Sequence, residues 1–197
     1  MGKKTPEVKD RRVQRTHKLL LDAFISLILE RGYNAVTIRD VLQRAGVGRS
    51  TFYTHFADLE ELLVSRASGN WFREFAADGR NERRAFGFTR PFLEHVHEQR
   101  RLWRALVGKR GGEAVKQRFR QSLLEVIRED VATLAGRQPV AVRDGIVHYV
   151  TGAFMELVFW WLDARTTLAP FDIDSLFRYL TAPALEAIAR LPEPVAR

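Results

Sequence analysis

The chain has 197 residues, no cysteine and a formal net charge of +8, and 46% of its residues are hydrophobic. That length is enough to bury a large core in one or two domains, and the lack of cysteine excludes disulfides and thiolate metal sites. The positive charge is concentrated at one end, because residues 1–57 contain 11 Lys and Arg against 5 Asp and Glu. This excess favours a polyanionic partner for the first third of the chain.

The first predicted element is an amphipathic helix that includes residues 18–29. Asp22 interrupts its apolar stretch and no small-residue cleavage site follows, so it is not expected to be a signal peptide. Basic residues precede it. Arg12 and Arg15 are expected to lie near a phosphate backbone, whereas the lysines at positions 3 and 4 fit a disordered tail equally well.

Residues 37–56, which read T-I-R-D-V-L-Q-R-A-G-V-G-R-S-T-F-Y-T-H-F, predict two short helices joined by a tight turn. Thr37 has the side chain of a helix N-cap, and Asp40 three residues later can complete a capping box. Gly46 is expected to end the first helix in the left-handed conformation, and Val47 is expected to pack between the two helices.

The second helix of this pair should begin near Arg49. Phe52 and Phe56 are four residues apart, so they share one face and are expected to point inward. The opposite face offers hydrogen-bond donors from Arg49, Ser50, Thr51, Tyr53 and His55. This is the layout of a recognition helix that reads DNA, although two such helices can also serve packing alone.

The motif A-G-V-x-R-S-T-F-Y-x-H-F, followed by D-L-E-E-L-L, resembles the DNA-binding domain of the tetracycline-repressor (TetR) family. The resemblance is specific over about the first third of the chain. Two positions depart from the family pattern, because Gly48 replaces a serine cap and Leu59 replaces a lysine. Together with the donor-rich outer face of the second helix, the family resemblance implies which residues contact DNA. Base contacts are expected from Arg39, Arg49, Ser50 and Thr51, and phosphate contacts from Thr37, Tyr53, Thr54 and His55.

Beyond this motif every predicted element is helical, so the fold is expected to be all-α with about nine helices. Asp58 can cap a fourth helix, at about 58–77, that connects a DNA-binding domain (1–57) to a helical effector-binding and dimerisation domain (78–197). Pro183 is expected to kink or split the last helix. The body helices are predicted at about 85–98, 101–107, 113–134, 140–164 and 172–190.

Residues 149–162, which read Y-V-T-G-A-F-M-E-L-V-F-W-W-L, are apolar nearly all round and need neighbours on more than one side. The family resemblance implies a homodimer in which the last two long helices pair with their symmetry mates. The same residues could instead form the monomer core. The candidates for interface or interface-adjacent positions are Tyr149, Gly152, Glu156, Phe159, Trp160, Leu176, Tyr179, Leu180 and Leu185.

The resemblance also implies a largely apolar effector cavity in the body. Bulky side chains could line a pocket for a hydrophobic or aromatic effector, oriented by His95 or Glu156, or they could fill the space themselves. The pocket candidates are Phe88, Phe92, His95, Trp103, Phe119, Leu123, Phe154, Met155 and Val158.

Catalysis is not expected, because the sequence has neither a nucleophile elbow nor a phosphate-binding glycine loop with a lysine. His95 and His97 are two residues apart and diverge on a helix, so no metal and no cofactor is predicted. The longest uninterrupted apolar run has six residues, much shorter than the roughly 18 that a membrane span requires, so a soluble protein is expected. The lack of cysteine suits the cytoplasm, which is the predicted location.

The sequence therefore predicts a dimeric repressor of TetR type that binds double-stranded DNA at an inverted-repeat operator and is released by a small hydrophobic or aromatic effector. A DNA-binding dimer without an effector, serving as an architectural or constitutive regulator, remains the alternative.

Overall fold

The computed structural model describes residues 6–66, 75, 85–107, 112–164 and 166–190. In these residues it contains nine α-helices, a short 3-10 turn at Tyr33–Ala35 and no strand, which confirms the all-α prediction. Apart from residue 75, the part of the predicted connecting helix after residue 66 and the polar break at 80–84 lie outside the described residues. The helices are α1 (Pro6–Arg31), α2 (Ile38–Ala45), α3 (Arg49–His55), α4 (Leu59–Arg66), α5 (Thr89–Glu98), α6 (Arg100–Val107), α7 (Glu113–Leu134), α8 (Val140–Asp163) and α9 (Pro170–Ala189).

Helices α1 to α4 form the head of the molecule. The inner face of α1 buries Leu20, Phe24 and Leu27, and α2 and α4 pack against that helix. In the body, α7 lies along α8, and α9 packs on α5 and α8. Helix α1 also packs against α6, so the head and the body share a contact besides the chain that links them.

The first body helix begins later than predicted, at Thr89 rather than near residue 85, because a turn occupies residues 85–88. Phe86 has a φ of 58°, which is rare for a residue with a side chain. Long-range contacts hold this conformation: the Phe86 ring is buried against Phe177, and its N–H donates to Asp130 Oδ2 at 3.0 Å. None of these partners is near in sequence.

Pro183 does not split α9, which runs without a break from Pro170 to Ala189. Proline removes the N–H that would bond to the carbonyl of Tyr179 one turn earlier. Pro183 and Tyr179 are both exposed, so this missing bond lies on the outer side of the helix. The helix also starts two residues earlier than predicted, with Pro170 at its first position, where no helical N–H is needed.

Helix α8 is the most apolar helix, with buried residues that include Val150, Phe154 and Trp161. Among the described helices it alone is long and apolar enough to cross a membrane by length and composition. Half of its most apolar stretch is buried inside the protein. Because the core helix of a soluble protein meets the same criterion, length and composition do not distinguish a core helix from a membrane span here.

Candidate nucleic-acid interface

The start of α2 has the capping box that the sequence predicts. The Thr37 hydroxyl accepts from the Asp40 N–H at 3.3 Å, and the Asp40 carboxylate accepts from the Thr37 N–H at 3.0 Å. At the other end, Gly46 has a φ of 65° and closes the helix with its N–H on the Leu42 carbonyl. Val47 follows as a partly buried residue packed on the core, so the turn between the two helices is as predicted.

Two buried aromatic residues anchor α3. Phe52 and Phe56 lie in the core of the head with ring centroids 5.8 Å apart. The opposite face is open to solvent, and the Arg49 guanidinium lies 5.6 Å from the centroid of the Tyr53 ring. The exposed side chains on or beside this face are Arg39, Arg49, Ser50, Thr51, Tyr53 and Thr54.

Three predicted phosphate-binding residues already have intramolecular contacts. The Thr37 hydroxyl donates to Asp40 at 2.6 Å, and the Thr54 hydroxyl donates to the Ser50 carbonyl at 2.8 Å. His55 was expected on the outer surface, but it is half-buried with its ring edge-on to His17 at 4.9 Å. A phosphate contact by any of them requires an adjustment that Arg49 and Tyr53 do not need. Arg12 and Arg15 are exposed on α1.

The two departures from the family pattern have different structural consequences. Gly48 is the N-cap of α3 and makes no side-chain hydrogen bond to it, so this helix start lacks the side-chain cap that α2 has. Leu59 is half-buried and packs on the core at the start of α4. Asp58 caps that helix as predicted, because its Oδ1 accepts from the Glu61 N–H at 2.7 Å.

A charged brace that the sequence analysis missed holds α2 on α1. Arg44 near the end of α2 donates to both carboxylate oxygens of Glu30 and to the Ser26 hydroxyl. Arg31 adds a longer pair with Asp40 at 3.4 Å. The partners are 14 and 9 residues apart, so helical spacing could not reveal them. This brace links the end of α2, just before the turn into α3, to α1.

Because the brace includes the Glu30 carboxylate, we expect its contribution to the stability of the head to be lost at acid pH. Hydrogen bonding to Arg44 lowers the pKa of Glu30 from its usual 4.5 to about 2. A carboxylate with a lowered folded-state pKa stabilises the fold above its unfolded pKa, and that stability is lost as the pH falls toward the folded value. We expect Glu30→Gln to be less stable than the parent near neutral pH, with the difference shrinking from about pH 4.5 downward.

Urea unfolding of both proteins across this pH range measures that difference. The effect should be small and should weaken in high salt, because the pair is solvent-exposed. A constant difference from neutral to acid pH would show that Glu30 does not act through its charge.

The dimer candidates divide into two groups. Tyr149, Trp160, Leu176, Tyr179 and Leu180 are exposed on the outer faces of α8 and α9, as is Glu156, and Gly152 is half-buried. Phe159 is half-buried with its ring 6.0 Å from Phe119, so part of it belongs to the body core. Leu185 packs inside the protomer with only 3% of it exposed, so it does not lie on the outer face of α9.

The pocket candidates lie together in the body. His95 is half-buried and the other eight are buried. The aromatic rings among them form a connected cluster. The ring centroid of Phe92 lies 5.4 Å from that of Trp103, 5.5 Å from that of Phe119 and 5.8 Å from that of Phe154. Glu156 is exposed on the outer side of α8, so it does not orient a ligand in this cluster.

A braced helix-turn-helix with a donor-rich outer face, joined to a helical body, defines a DNA-binding transcriptional regulator. The chain belongs to the TetR family: residues 20–65 match the family model "Bacterial regulatory proteins, tetR family", and residues 85–182 match "Transcriptional regulator C-terminal region". A curated relative, the uncharacterized HTH-type transcriptional regulator YxbF of Bacillus subtilis (strain 168), is 44% identical over 55 residues. This match spans 27% of the chain and only 14% of that relative's length.

Solved structures are similar over most of the chain. A TetR transcriptional regulator from Streptococcus agalactiae 2603V is 25% identical with a TM-score of 0.69, covering 90% of this chain and 99% of that one. A putative TetR-family regulator from Syntrophomonas wolfei str. Goettingen is 18% identical with a TM-score of 0.62, covering 87% and 95%. RolR in complex with resorcinol is 21% identical with a TM-score of 0.57, covering 94% and 98%, and shares the fold.

Proposed function

We propose that this regulator is a repressor that binds an inverted-repeat operator as a homodimer. In this proposal residues 1–57 form the DNA-binding head, 58–77 the connecting helix, and 78–197 the effector-binding and dimerisation body. The observation that carries the proposal is the outer face of α3, where Arg49, Ser50 and Thr51 are exposed while Phe52 and Phe56 fix the helix from beneath. Base contacts from the exposed residues supply specificity, and phosphate contacts position the head.

Binding-site selection with the purified full-length protein tests this proposal. We expect enrichment of a short inverted repeat, because a two-fold symmetric dimer presents two identical heads to two half-sites. Recovery of sites without two-fold symmetry would contradict the dimer, and no enrichment over random DNA would contradict sequence-specific binding.

The dimer is proposed to form through the exposed faces of α8 and α9. Tyr179 and Leu180 are 85% and 66% exposed in the protomer, and α8, which packs on α9, carries the exposed residues Tyr149 and Trp160. Large apolar side chains on adjacent long helices favour burial against a second copy. A buried charge without a partner in such an interface is costly.

We expect Leu180→Glu to shift the protein from dimer toward monomer and to weaken operator binding at least tenfold, about 1.4 kcal/mol. Sedimentation velocity measures the oligomeric state, and Gln121→Glu, which adds the same charge at an exposed position on α7, is the matched control. A Leu180→Glu protein that remains dimeric would rule out this face as the interface.

For the effector, we propose a small hydrophobic or aromatic compound bound among the rings of the body. The structural neighbour RolR, which was solved with the aromatic compound resorcinol, supports this class of ligand. The close ring packing around Phe92 favours the alternative, in which the core is filled and the dimer binds DNA without an effector. Repeating operator binding with a panel of small aromatic compounds separates the two, because only an effector-responsive protein will release DNA.

A further inference from the structure

The head and the body are in contact where the ring of Tyr33 packs against the backbone of Gly112. Tyr33 lies in the 3-10 turn that precedes α2, and Gly112 is the N-cap residue of α7. A Cβ placed on Gly112 would come within 2.5 Å of Tyr33 Cδ1, a separation that real Cβ atoms do not show. Gly112 has a φ of −74°, which any residue can adopt, so its lack of a side chain provides space for the ring and is not needed for backbone conformation.

Tyr33 is held at a junction of the head. Its ring is half-buried and lies 5.9 Å from the ring of Phe24, which is fully buried in α1. Burial and the nearby carboxylates of Glu60 and Asp58 at the start of α4 raise the pKa of Tyr33. The ring therefore adjoins both α1 and the body, and the negative charges at the beginning of α4 act on its hydroxyl.

Gly112 is held equally firmly on the body side. Its N–H donates to the carbonyl of Leu106 in α6 at 3.1 Å, and its carbonyl accepts from the N–H of Lys116 in α7 at 3.2 Å. The same two helices carry Trp103 and Phe119, whose rings are 5.6 Å apart in the aromatic cluster. The position of Gly112 is thus tied to the packing of the body core.

A displacement at this contact would reach the DNA-binding helices. The turn is closed by hydrogen bonds from Ala35 N–H to Gly32 and from Val36 N–H to Tyr33, and α2 begins at Ile38. No long flexible segment separates Tyr33 from the helix-turn-helix. In a symmetric dimer, the placement of each head on its body sets the distance between the two recognition helices, and that distance must match the spacing of the operator half-sites.

We propose that Tyr33 and Gly112 are positioning residues that fix the head on the body and so select the spacing between the operator half-sites. This proposal rests on the proposed binding of a homodimer to an inverted repeat. It concerns the geometry of recognition, and it leaves the bases read by α3 unchanged.

The experiment measures affinity for a series of operators in which the half-sites are constant and the spacer length varies. The variants are Gly112→Ala, which forces the ring to move, Tyr33→Leu, which removes the ring, and Tyr33→Phe, which keeps it. Gln121→Ala on α7 is the control, since Gln121 is exposed and lies outside both the Tyr33–Gly112 contact and the proposed dimer faces of α8 and α9. Thermal unfolding of each variant separates loss of folded protein from altered recognition.

We expect the parent, Tyr33→Phe and Gln121→Ala to prefer the same single spacer. Gly112→Ala and Tyr33→Leu should shift that preference or reduce it by about tenfold, within the range of coupling between contacting residues, while base preference within a half-site stays the same. If Gly112→Ala does not fold, Tyr33→Leu decides the result.

Equal weakening at every spacer would show that the contact serves packing alone and would overturn the proposal. The same conclusion follows if both variants keep the parent's spacer preference. A parent protein with no preference for paired half-sites would instead refute the proposed dimeric binding, and this inference with it.

Discussion

Replacing Asp174 with alanine is expected to lower the free energy of unfolding by about 3 kcal/mol or more, since removing one partner of a buried ion pair leaves the other charge uncompensated. Asp174 lies on α9 and is buried. Its two carboxylate oxygens share the single Nε–H of Arg178, at 3.0 and 2.9 Å, and the carboxylate also accepts a hydrogen bond from the Thr89 hydroxyl.

Arg178 extends this network to the turn before α5. Its two terminal nitrogens donate to the carbonyls of Ala85 and Phe86, each at 2.8 Å. The network therefore joins α9, which carries the proposed dimer face, to the turn at residues 85–88. In the Asp174→Ala protein Arg178 would keep these two carbonyl partners, and its side chain is 20% exposed to solvent already in the parent. The expected loss is therefore at the lower end of the usual range for a buried pair, roughly 3–5 kcal/mol.

Urea unfolding at one fixed protein concentration measures the loss, because the stability of a dimer depends on concentration. Glu186→Ala is the matched control: Glu186 pairs with Arg190 on the same helix at the same spacing, but both side chains are exposed. That change should cost about 0.5 kcal/mol or less. Similar losses in the two variants would show that burial does not govern the strength of these pairs.

The helix-turn-helix could be predicted from the sequence because each of its signals is local. Thr37 and Asp40 are three residues apart, Gly46 acts through its own backbone, and Phe52 and Phe56 show their shared face by spacing alone. Helix ends in the body were predictable where glycine or proline marks them, as at the starts of α7 and α8.

What the sequence could not reveal depends on contacts between distant segments. Thr89 and Asp174 are 85 residues apart, and no periodicity connects them. Leu180 and Leu185 are both leucines on α9, yet the first is exposed and the second is buried, because only the packing of α9 on its neighbours distinguishes the two faces. The positive φ of Phe86 likewise depends on Asp130 and Phe177, which a local pattern does not include.

Replacing Arg49 with alanine is expected to change the preference at one operator position by about 1–3 kcal/mol, roughly 5- to 150-fold, if Arg49 binds a guanine through both of its terminal nitrogens. Arg49 is the first residue of α3, where recognition helices contact base edges, and it is exposed. The Tyr53 ring beneath its guanidinium restricts the side chain before DNA binds, so less conformational entropy is lost on contact.

Affinity for the selected operator, for each single-base variant of it and for random DNA measures this change. Arg49→Ala should bind the operator more weakly and lose discrimination at one position in each half-site, while its affinity for random DNA falls much less. Tyr53→Phe is the comparison, because it keeps the ring under Arg49 and removes only the hydroxyl proposed to bind a phosphate, so all sequences should weaken together. If Arg49→Ala instead weakens specific and random DNA equally, Arg49 contacts the phosphate backbone and base recognition by α3 must come from Ser50, Thr51 or Arg39.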